Sequence, residues 1–296
     1  MPSASRPRRR VSLLPKIVSL TVAAVALSLA ITAGPAAAAE PLILGVHPYL
    51  APADVVARFT PLAGYLDRQL GQRVQVRVGR DYAQHIETIG RDTIDVAYVG
   101  PASYVKMVAR HGAKPLLARI EINGKPAVTA YIAARTDSPL RKLADLRGKR
   151  FAFGDINSTM GTVVAQHVLR RAGVGLESLG GYQYLGSHRN VALAVLSGDY
   201  DAGAVRKEVY DELQARGLRV LLKLPEVSEH LFVTRSDLPA AQVTRLRLAL
   251  LGLKDAPGGA AILQAIDKEM TAMVPVRDAD YDSLRAIQRA LVDERG

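Results

Sequence analysis

Short apolar runs alternate with amphipathic stretches from residue 42 onward, and this alternation constrains the fold more than any other feature of the chain. The apolar runs predict buried strands at Leu42–Val46, Val74–Val78 and 94–99. Between them, Pro52–Leu70 and Tyr82–Gly90 repeat apolar residues at helical spacing and predict helices. Because strands that alternate with helices usually pair in parallel, the sequence predicts a parallel α/β sheet here.

A second series of strands and helices follows the first. A helix at Pro101–His111 and strands near 116–120 and 128–134 complete the first series. The second series is predicted to contain a short helix and turn at 143–148, strands at 151–153, 182–185, 201–205 and 219–224, and helices at 159–172, 190–196 and 207–216. The chain then returns through a strand at Leu231–Thr234 and ends in helices near 239–253, 260–270 and 281–294.

The chain crosses between the two series near residues 133–139 and 225–235. Two crossings predict a two-lobed hinge protein, in which each lobe is a mixed sheet flanked by helices. Lobe 1 is predicted to contain residues 40–134 and 230–296, and lobe 2 residues 135–229. A ligand is expected between the lobes.

The first 39 residues have the pattern of a secretory signal peptide. Basic residues from Arg6 to Lys16 precede an apolar stretch at 17–33, and the small-residue run Ala36 to Ala39 precedes Glu40. We expect cleavage after Ala39 and a protein exported to the periplasm; an uncleaved membrane anchor is the alternative. The arginine pair Arg9-Arg10 is a poor twin-arginine match, so the export route stays open.

Composition excludes several classes of function. The chain has no cysteine, which excludes disulfides, thiolate nucleophiles and thiolate metal sites. Removal of a segment with five basic and no acidic residues would lower the formal net charge from +11 to +6. That excess fits either a small anionic ligand or a generally basic surface. No Lys/Arg tract with interleaved aromatic residues suggests nucleic acid.

The segment from Phe151 to Thr162 predicts a strand that runs into a hydroxyl-rich turn at the start of a helix. The unpaired N–H groups and the positive dipole end of such a helix favour an anion, and Ser158 and Thr159 add hydroxyl donors. Gly161 would let a ligand come close. Ser158 and Thr159 could equally be ordinary helix N-caps, because serine and threonine are common there.

Several motifs occur together in the order known from one family of binding proteins. They are Asp81-Tyr82, Asp95 to Pro101, residues 143–150, Phe153 to Gly161, Gly186-Ser187-His188 and Gly198 to Val205. On these motifs, which span essentially all of residues 40–296, the chain resembles the PhnD-type phosphate/phosphite/phosphonate-binding proteins of ABC transporters. The resemblance implies a type II periplasmic binding fold, an ABC permease as partner, no catalysis and no cofactor.

The resemblance also implies a set of residues that bind the oxyanion. Tyr82 matches a tyrosine that donates its hydroxyl, and His188 matches a histidine that donates from the start of a helix. Ser158 and Thr159 match the first two residues of the family's Ser-Thr-Ser-Gly, whereas Met160 departs from the third and leaves only its backbone N–H. Val128 stands where the family often has an aromatic residue.

Two acids complete the implied site. Glu208 matches an acid that receives the ammonium of aminoalkylphosphonates, and Glu229 matches a second acid. Because a carboxylate repels a simple dianion, Glu208 favours an aminophosphonate or a protonated phosphonate. Without the resemblance, Tyr82 could be a packing residue, His188 a core or capping histidine, and Glu208 a first-turn acid that the helix dipole favours.

Two other functions remain as alternatives. An exported enzyme is disfavoured because the chain lacks a nucleophile elbow, a zinc-protease motif, a Walker loop and a dinucleotide-binding motif. The six histidines show no metal-ligand spacing, so no metal site is expected. A periplasmic ligand sensor for a membrane histidine kinase would use the same fold, and nothing in the residues separates it from a transporter component.

Overall fold

The computed structural model describes residues 40–293 together with Met1, Ser3 and Ala4. The predicted signal peptide, residues 1–39, therefore lies almost wholly outside the described residues and stays a prediction. Within the described part of the chain, no helix is both long and apolar enough to cross a membrane.

Thirteen strands form two large sheets and one two-stranded sheet in the described residues. The strands are β1 Leu42–Val46, β2 Val74–Val78, β3 Val96–Val99, β4 Leu116–Ile122, β5 Ala127–Val128, β6 Ala130–Arg135, β7 Arg150–Phe153, β8 Gly181–Tyr184, β9 Ala202–Arg206, β10 Leu218–Lys223, β11 Val227–Ser228, β12 Leu231–Thr234 and β13 Met270–Val274.

The α-helices are α1 Pro52–Leu70, α2 Tyr82–Gly90, α3 Pro101–His111, α4 Val164–Arg171, α5 His188–Leu196, α6 Lys207–Leu213, α7 Ala240–Leu251, α8 Gly259–Ile266 and α9 Asp282–Asp293. A π-helical turn, Thr159–Val163, leads directly into α4. Short 3-10 turns lie at Leu143–Leu146, Leu176–Ser178, Gln214–Arg216, Leu253–Asp255 and Asp278–Tyr281.

The first sheet has the strand order β13-β4-β12-β3-β1-β2. β1 pairs in parallel with β2 and β3, as the sequence predicts, with Leu44 opposite both Val76 and Val96. β12 enters antiparallel to β3 and β4, so the sheet as a whole is mixed. Its core includes Leu44 together with Phe59 and Leu66 of α1, all fully buried.

The second sheet has the order β10-β6-β9-β7-β8. β7 pairs in parallel with β8 and β9, whereas β6 runs antiparallel to β9 and β10. The sequence prediction placed residues up to 134 in lobe 1, whereas β6 is a strand of this second sheet. Residues 130–134 pair with β9, and apolar side chains among them, such as Ile132 and Ala134, are buried there.

Two short strands form where the chain passes between the large sheets. β5 and β11 are antiparallel, with Val227 opposite Val128, and the Glu229 amide donates to the Pro126 carbonyl at 3.0 Å. The two crossing segments are thus hydrogen-bonded to each other. The first crossing, at Ala127–Val128, lies before the predicted range 133–139. The second crossing, at Val227–Ser228, lies inside the predicted range 225–235.

One prediction near the C-terminus is wrong. The helix expected at 260–270 ends at Ile266, and Met270–Val274 is the edge strand β13, antiparallel to β4. Asp267 ends the helix in extended backbone, and its side chain accepts the Glu269 amide at 3.0 Å. This local side-chain bond competes with helical hydrogen bonds and turns the chain.

Candidate functional site

A small buried cavity lies where the carboxyl ends of parallel strands from both large sheets come together. We call it the hydroxyl cavity; its volume is about 20 Å³. It is lined by His47, Tyr49, Tyr82, Gly100, Val128, Ser158, Thr159, Met160, His188, Arg206 and His230. Five of the seven predicted site residues, Tyr82, Ser158, Thr159, Met160 and His188, are among them.

Strand order explains why these residues meet. His47, Tyr82 and Gly100 follow the parallel strands β1, β2 and β3, while Ser158 and His188 follow β7 and β8. The carboxyl ends of parallel strands lie at one edge of a sheet, where ligands of α/β proteins usually bind. Residues far apart in sequence are thereby placed around one volume.

Four helical N-termini also point to the hydroxyl cavity. Tyr82 is the first residue of α2, Gly100 caps α3, Ser158 caps the π-helical turn, and His188 is the first residue of α5. Helix N-termini carry the positive end of a helix dipole and N–H groups without a partner inside the helix. At α3, Pro101 has no N–H and the Ala102 amide is bonded to Thr159. Together the four N-termini make the cavity suited to an anion.

Ser158 and Thr159 both accept hydrogen bonds from backbone amides at the π-helical turn. Val163 donates to the Ser158 carbonyl at 3.0 Å, and the Ser158 hydroxyl accepts the Gly161 amide at 3.2 Å. The Thr159 hydroxyl accepts the Ala102 amide of α3 at 2.9 Å. Because a hydroxyl accepts and donates at once, accepting these amides leaves each O–H able to donate. The Ser158 hydroxyl also interacts with the Tyr82 hydroxyl.

Close packing around the turn requires glycine at position 161. A Cβ there would lie 2.9 Å from the Ser158 hydroxyl oxygen and 3.0 Å from Cε1 of His188. Any side chain would therefore push the two donors apart. The sequence interpretation of Gly161 as a point of close approach agrees with this geometry.

His188 is held as a neutral ring. Burial, followed by the nearby Arg206 guanidinium, lowers the pKa of His188 to about 4. Nδ1 lies 3.3 Å from the Arg206 amide, a donor, and 3.4 Å from the Ala204 carbonyl, an acceptor, so these contacts do not fix the tautomer. With its proton on Nε2, His188 would supply a neutral N–H donor beside the Ser158 turn.

The rings of His47, Tyr98 and His230 stack beside the cavity. The His230 ring lies 5.2 Å from both His47 and Tyr98, within 13° of parallel to each. Burial lowers the pKa of both histidines. Sequence reasoning missed this group, because its members come from three strands and show no local spacing.

Arg206 is a buried cation that sequence reasoning also missed. Its Nη2 lies 3.0 Å from Oε1 of Glu229 and 3.5 Å from Oδ2 of Asp267. Burial opposes its charge, but the Glu229 and Asp267 carboxylates outweigh burial and raise its pKa well above the usual value. The available signal was a basic residue at the end of a buried strand, β9.

A second cavity, of about 190 Å³, lies on the other side of Arg206. We call it the acidic cavity, because carboxylates dominate its charged lining. It is lined by Ile122, Asn123, Lys125, Ala127, Thr129, Arg206, Lys207, Glu208, Glu226, Glu229, Asp267 and Glu269. Arg206 lines both cavities.

The two predicted acids lie in the acidic cavity and not in the hydroxyl cavity. Glu208 forms an ion pair with Arg58 of α1 at 2.6 Å. Glu229 is buried, and its Oε2 accepts from Nδ1 of His230 at 2.6 Å. Burial opposes the charge of Glu229, but Arg206 and His230 outweigh it and lower its pKa to about 2.

The sequence matches a known protein family over most of its length. Residues 44–281 match the family described as the periplasmic substrate-binding protein of phosphonate ABC transporters. The phosphate-import protein PhnD of Mycolicibacterium smegmatis is 28% identical over 277 residues, which cover 84% of this chain and 85% of that protein.

Two solved structures share the fold. Prochlorococcus marinus PhnD1, in complex with methylphosphonate, is 22% identical with a TM-score of 0.78 and covers 85% of this chain and 98% of its own. A binding protein component of an ABC phosphonate transporter from Pseudomonas aeruginosa is 21% identical with a TM-score of 0.76, over 84% and 86% of the two chains.

These likenesses confirm the predicted type II periplasmic binding fold. The family consists of substrate-binding proteins and not of enzymes, which confirms the prediction of a binding role. The family match covers well over half of the sequence. The chain therefore belongs to the family of periplasmic substrate-binding proteins of phosphonate ABC transporters.

Proposed function

We propose that this chain binds a small phosphorus oxyanion, a phosphonate, phosphite or phosphate, in the hydroxyl cavity and delivers it to an ABC permease. The observation that carries the proposal is the convergence of four helical N-termini with the side chains of Tyr82, Ser158, Thr159 and His188 on one cavity. The bound methylphosphonate of the Prochlorococcus relative and the name of the Mycolicibacterium relative support the ligand class.

The apolar part of the lining favours a ligand with fewer than four oxygen atoms. Met160 and Val128, which depart from the family pattern, are both almost fully buried at the cavity. An oxygen placed against them would lose hydrogen bonds to water without replacement. A C–P or P–H bond fits that wall at lower cost, so we expect methylphosphonate and phosphite to bind more tightly than phosphate.

Ligand entry requires the two large sheets to separate. The hydroxyl cavity holds about 20 Å³, which is room for one water molecule and not for a phosphoryl group. The hydrogen-bonded crossings β5 and β11 are the natural hinge. On this proposal one lobe is built on the first sheet and the other on the second, with the boundaries at residues 127–129 and 225–230.

Export places the protein where it can meet such a ligand. The proposed signal peptide ends at Ala39, so the mature protein should begin near Glu40 in the periplasm. Intact-mass analysis of the exported protein tests this proposal. A retained N-terminus in the membrane fraction would contradict it.

Calorimetric titration tests the binding function directly. The purified protein is titrated with methylphosphonate, phosphite, phosphate and 2-aminoethylphosphonate, and the proposal requires saturable one-site binding of at least one of them. A strain that lacks the gene should also lose uptake of the bound compound. Normal uptake with a lost transcriptional response would replace the permease with a sensor kinase as the partner.

A further inference from the structure

His230 borders the hydroxyl cavity with one ring nitrogen engaged and the other not. Its Nδ1 lies 2.6 Å from Oε2 of Glu229, which also accepts the His230 amide at 2.6 Å. Among the described residues, Nε2 has no hydrogen-bond partner. A Cβ on Gly100 would lie 3.4 Å from Nε2 and 3.8 Å from the Thr159 hydroxyl oxygen. This nitrogen therefore lies on the same side of the cavity as a predicted ligand donor.

The partner of Nδ1 determines what Nε2 can do. A carboxylate only accepts hydrogen bonds, so Nδ1 must carry the ring proton. The Nε2 atom of the neutral ring can then only accept a hydrogen bond, whereas the hydroxyls of Tyr82, Ser158 and Thr159 can also donate one. An acceptor in an anion site is satisfied only by a ligand that brings its own proton.

We propose that His230 determines specificity by accepting the hydrogen of a P–OH group, so that the site selects singly protonated phosphorus oxyanions over oxyanions without a proton, such as sulfonates. This inference rests on the proposed function and names the ionisation state of its ligand. Equivalently, a dianionic ligand that binds takes up one proton, which is shared between its oxygen and Nε2.

The buried charges beside the cavity favour the same ligand state. Arg206 contributes one positive charge, while Glu229 and Asp267 contribute two negative charges at 3.0 and 3.5 Å from it. The net charge of this cluster is therefore negative. A dianion would be repelled more strongly than a monoanion that carries a proton toward His230.

The surroundings hold the ring and keep it neutral. Six titratable or charged groups face His230. Glu229 is its neighbour in the chain, and the other five come from other elements: His47 after β1, Tyr98 on β3, His188 on α5, Arg206 at the end of β9 and Asp267 after α8. Burial lowers the pKa of His230 although Glu229 opposes that effect. The stacked rings fix the direction of Nε2.

A matched ligand pair tests the inference. Methylphosphonate monoanion and methanesulfonate have the same charge and similar shape, but only the phosphonate has a P–OH hydrogen. We expect the wild-type protein to prefer methylphosphonate by tenfold or more. Methylphosphonate gains a hydrogen bond to Nε2 that involves a charged ligand, whereas methanesulfonate leaves the buried Nε2 without a donor, and each effect is worth at least about a factor of ten. Titrations in buffers of different ionisation enthalpy should show uptake of about one proton when the dianion binds.

His230→Asn is the diagnostic variant, because the asparagine amide nitrogen can replace Nδ1 toward Glu229 while Nε2 is removed. We expect methylphosphonate affinity to fall about tenfold and methanesulfonate affinity to stay within about threefold, so that the preference largely disappears. His188→Gln, which alters a donor, should weaken both ligands alike. The urea unfolding midpoint of each variant reports whether it folds.

The outcomes separate the two claims. Wild-type protein that binds methylphosphonate without proton uptake, and with no preference over methanesulfonate, overturns the role of His230 and leaves the proposed function standing. An equal loss of both ligands in folded His230→Asn protein does the same. A failure of wild-type protein to bind any phosphorus oxyanion overturns both claims.

Discussion

The hydroxyl cavity and the acidic cavity share Arg206 but are built by opposite means. The hydroxyl cavity collects neutral donors: hydroxyls, a neutral imidazole and helical N-termini. The acidic cavity collects full charges, which are paired with each other, as in Arg58 with Glu208 and Lys207 with Glu269 at 2.8 Å. The carboxylates of the acidic cavity outnumber its cations, so we expect an anion to bind in the hydroxyl cavity, where the donors are neutral.

Arg206 illustrates the difference. Its charge is already neutralised by two carboxylates, so it adds little attraction for an anion in either cavity. Its main role is to keep Glu229 ionised and in place, and Glu229 in turn holds His230. A buried cation beside an anion site can thus act by holding neighbouring side chains in place more than by attracting the anion.

The largest effect should come from removing the shared cation. Arg206→Met leaves the Glu229 and Asp267 carboxylates buried without a cationic partner, and breaking a buried ion pair in this way costs about 3–5 kcal/mol of unfolding free energy. Urea denaturation measures the loss. Arg189→Met, which breaks an exposed pair with Glu212, is the matched control and should cost less than about 1 kcal/mol. Equal losses in the two variants would mean that the buried cluster is not the structural link between the cavities.

The next effect concerns ligand affinity in the hydroxyl cavity. Ser158→Ala combined with Thr159→Ala removes two hydroxyl donors, each worth about 1.5–3 kcal/mol toward a charged ligand. Methylphosphonate affinity by calorimetry should therefore fall at least a hundredfold, while loss of the Ser158 cap costs only about 1 kcal/mol of stability. Thr60→Ala with Thr244→Ala removes two exposed helix hydroxyls as a control. Unchanged affinity in the site variant would leave both residues as helix caps alone.

Acid should affect the hydroxyl cavity before the acidic one. The pKa values of His188 and His85 are lowered from 6.5 to about 4 in the folded state, mainly by burial, so the unfolded chain binds more protons between these values. Above pH 6.5 these two histidines do not lower the unfolding free energy. As the pH drops from 6.5 toward 4, the unfolding free energy falls by about 1 kcal/mol per pH unit for each histidine. Glu229, with a pKa of about 2, adds its own loss only below its usual value of 4.5. Urea titrations at several pH values measure the slope, and a flat profile from pH 6.5 to 4.5 would contradict the neutral-histidine account.

The smallest effect should come from Glu208. If the substituent of a bound phosphonate reaches the acidic cavity, an ammonium there must compete with Arg58 for the Glu208 carboxylate. We therefore expect Glu208→Gln to lower 2-aminoethylphosphonate affinity by less than about tenfold, since partly exposed pairs contribute about 1 kcal/mol or less. Methylphosphonate affinity should stay the same. A large loss for both compounds in parallel titrations would place Glu208 in the oxyanion site itself.

Local sequence signals were sufficient for most of the fold. The structure places β1, β2, β12 and the helices α1 and α2 at the bounds that the patterns predicted, because apolar periodicity and caps act over a few residues. β13 was missed because the apolar residues at 260–274 fit a longer helix, and the turn depends on one Asp267 side chain. The π-helical form of the turn before α4 also has no clear sequence signal.

The site was predicted in part for a similar reason. Tyr82, Ser158 and His188 start helices beside recognisable motifs, and the structure brings them together. The partners of Arg206 and Glu208 could not be read from the sequence, because Asp267 and Arg58 are 61 and 150 residues away from them. Long-range ion pairs depend on the assembled fold.

A crystal structure of the protein grown with methylphosphonate would test the central claim most directly. This account predicts phosphorus in an enlarged hydroxyl cavity, with its oxygen atoms within hydrogen-bonding distance of Tyr82, Ser158, Thr159 and His188. One oxygen should face Nε2 of His230, and the methyl group should lie against Met160 and Val128. Phosphorus bound in the acidic cavity beside Lys207, with the hydroxyl cavity unchanged, would contradict the account.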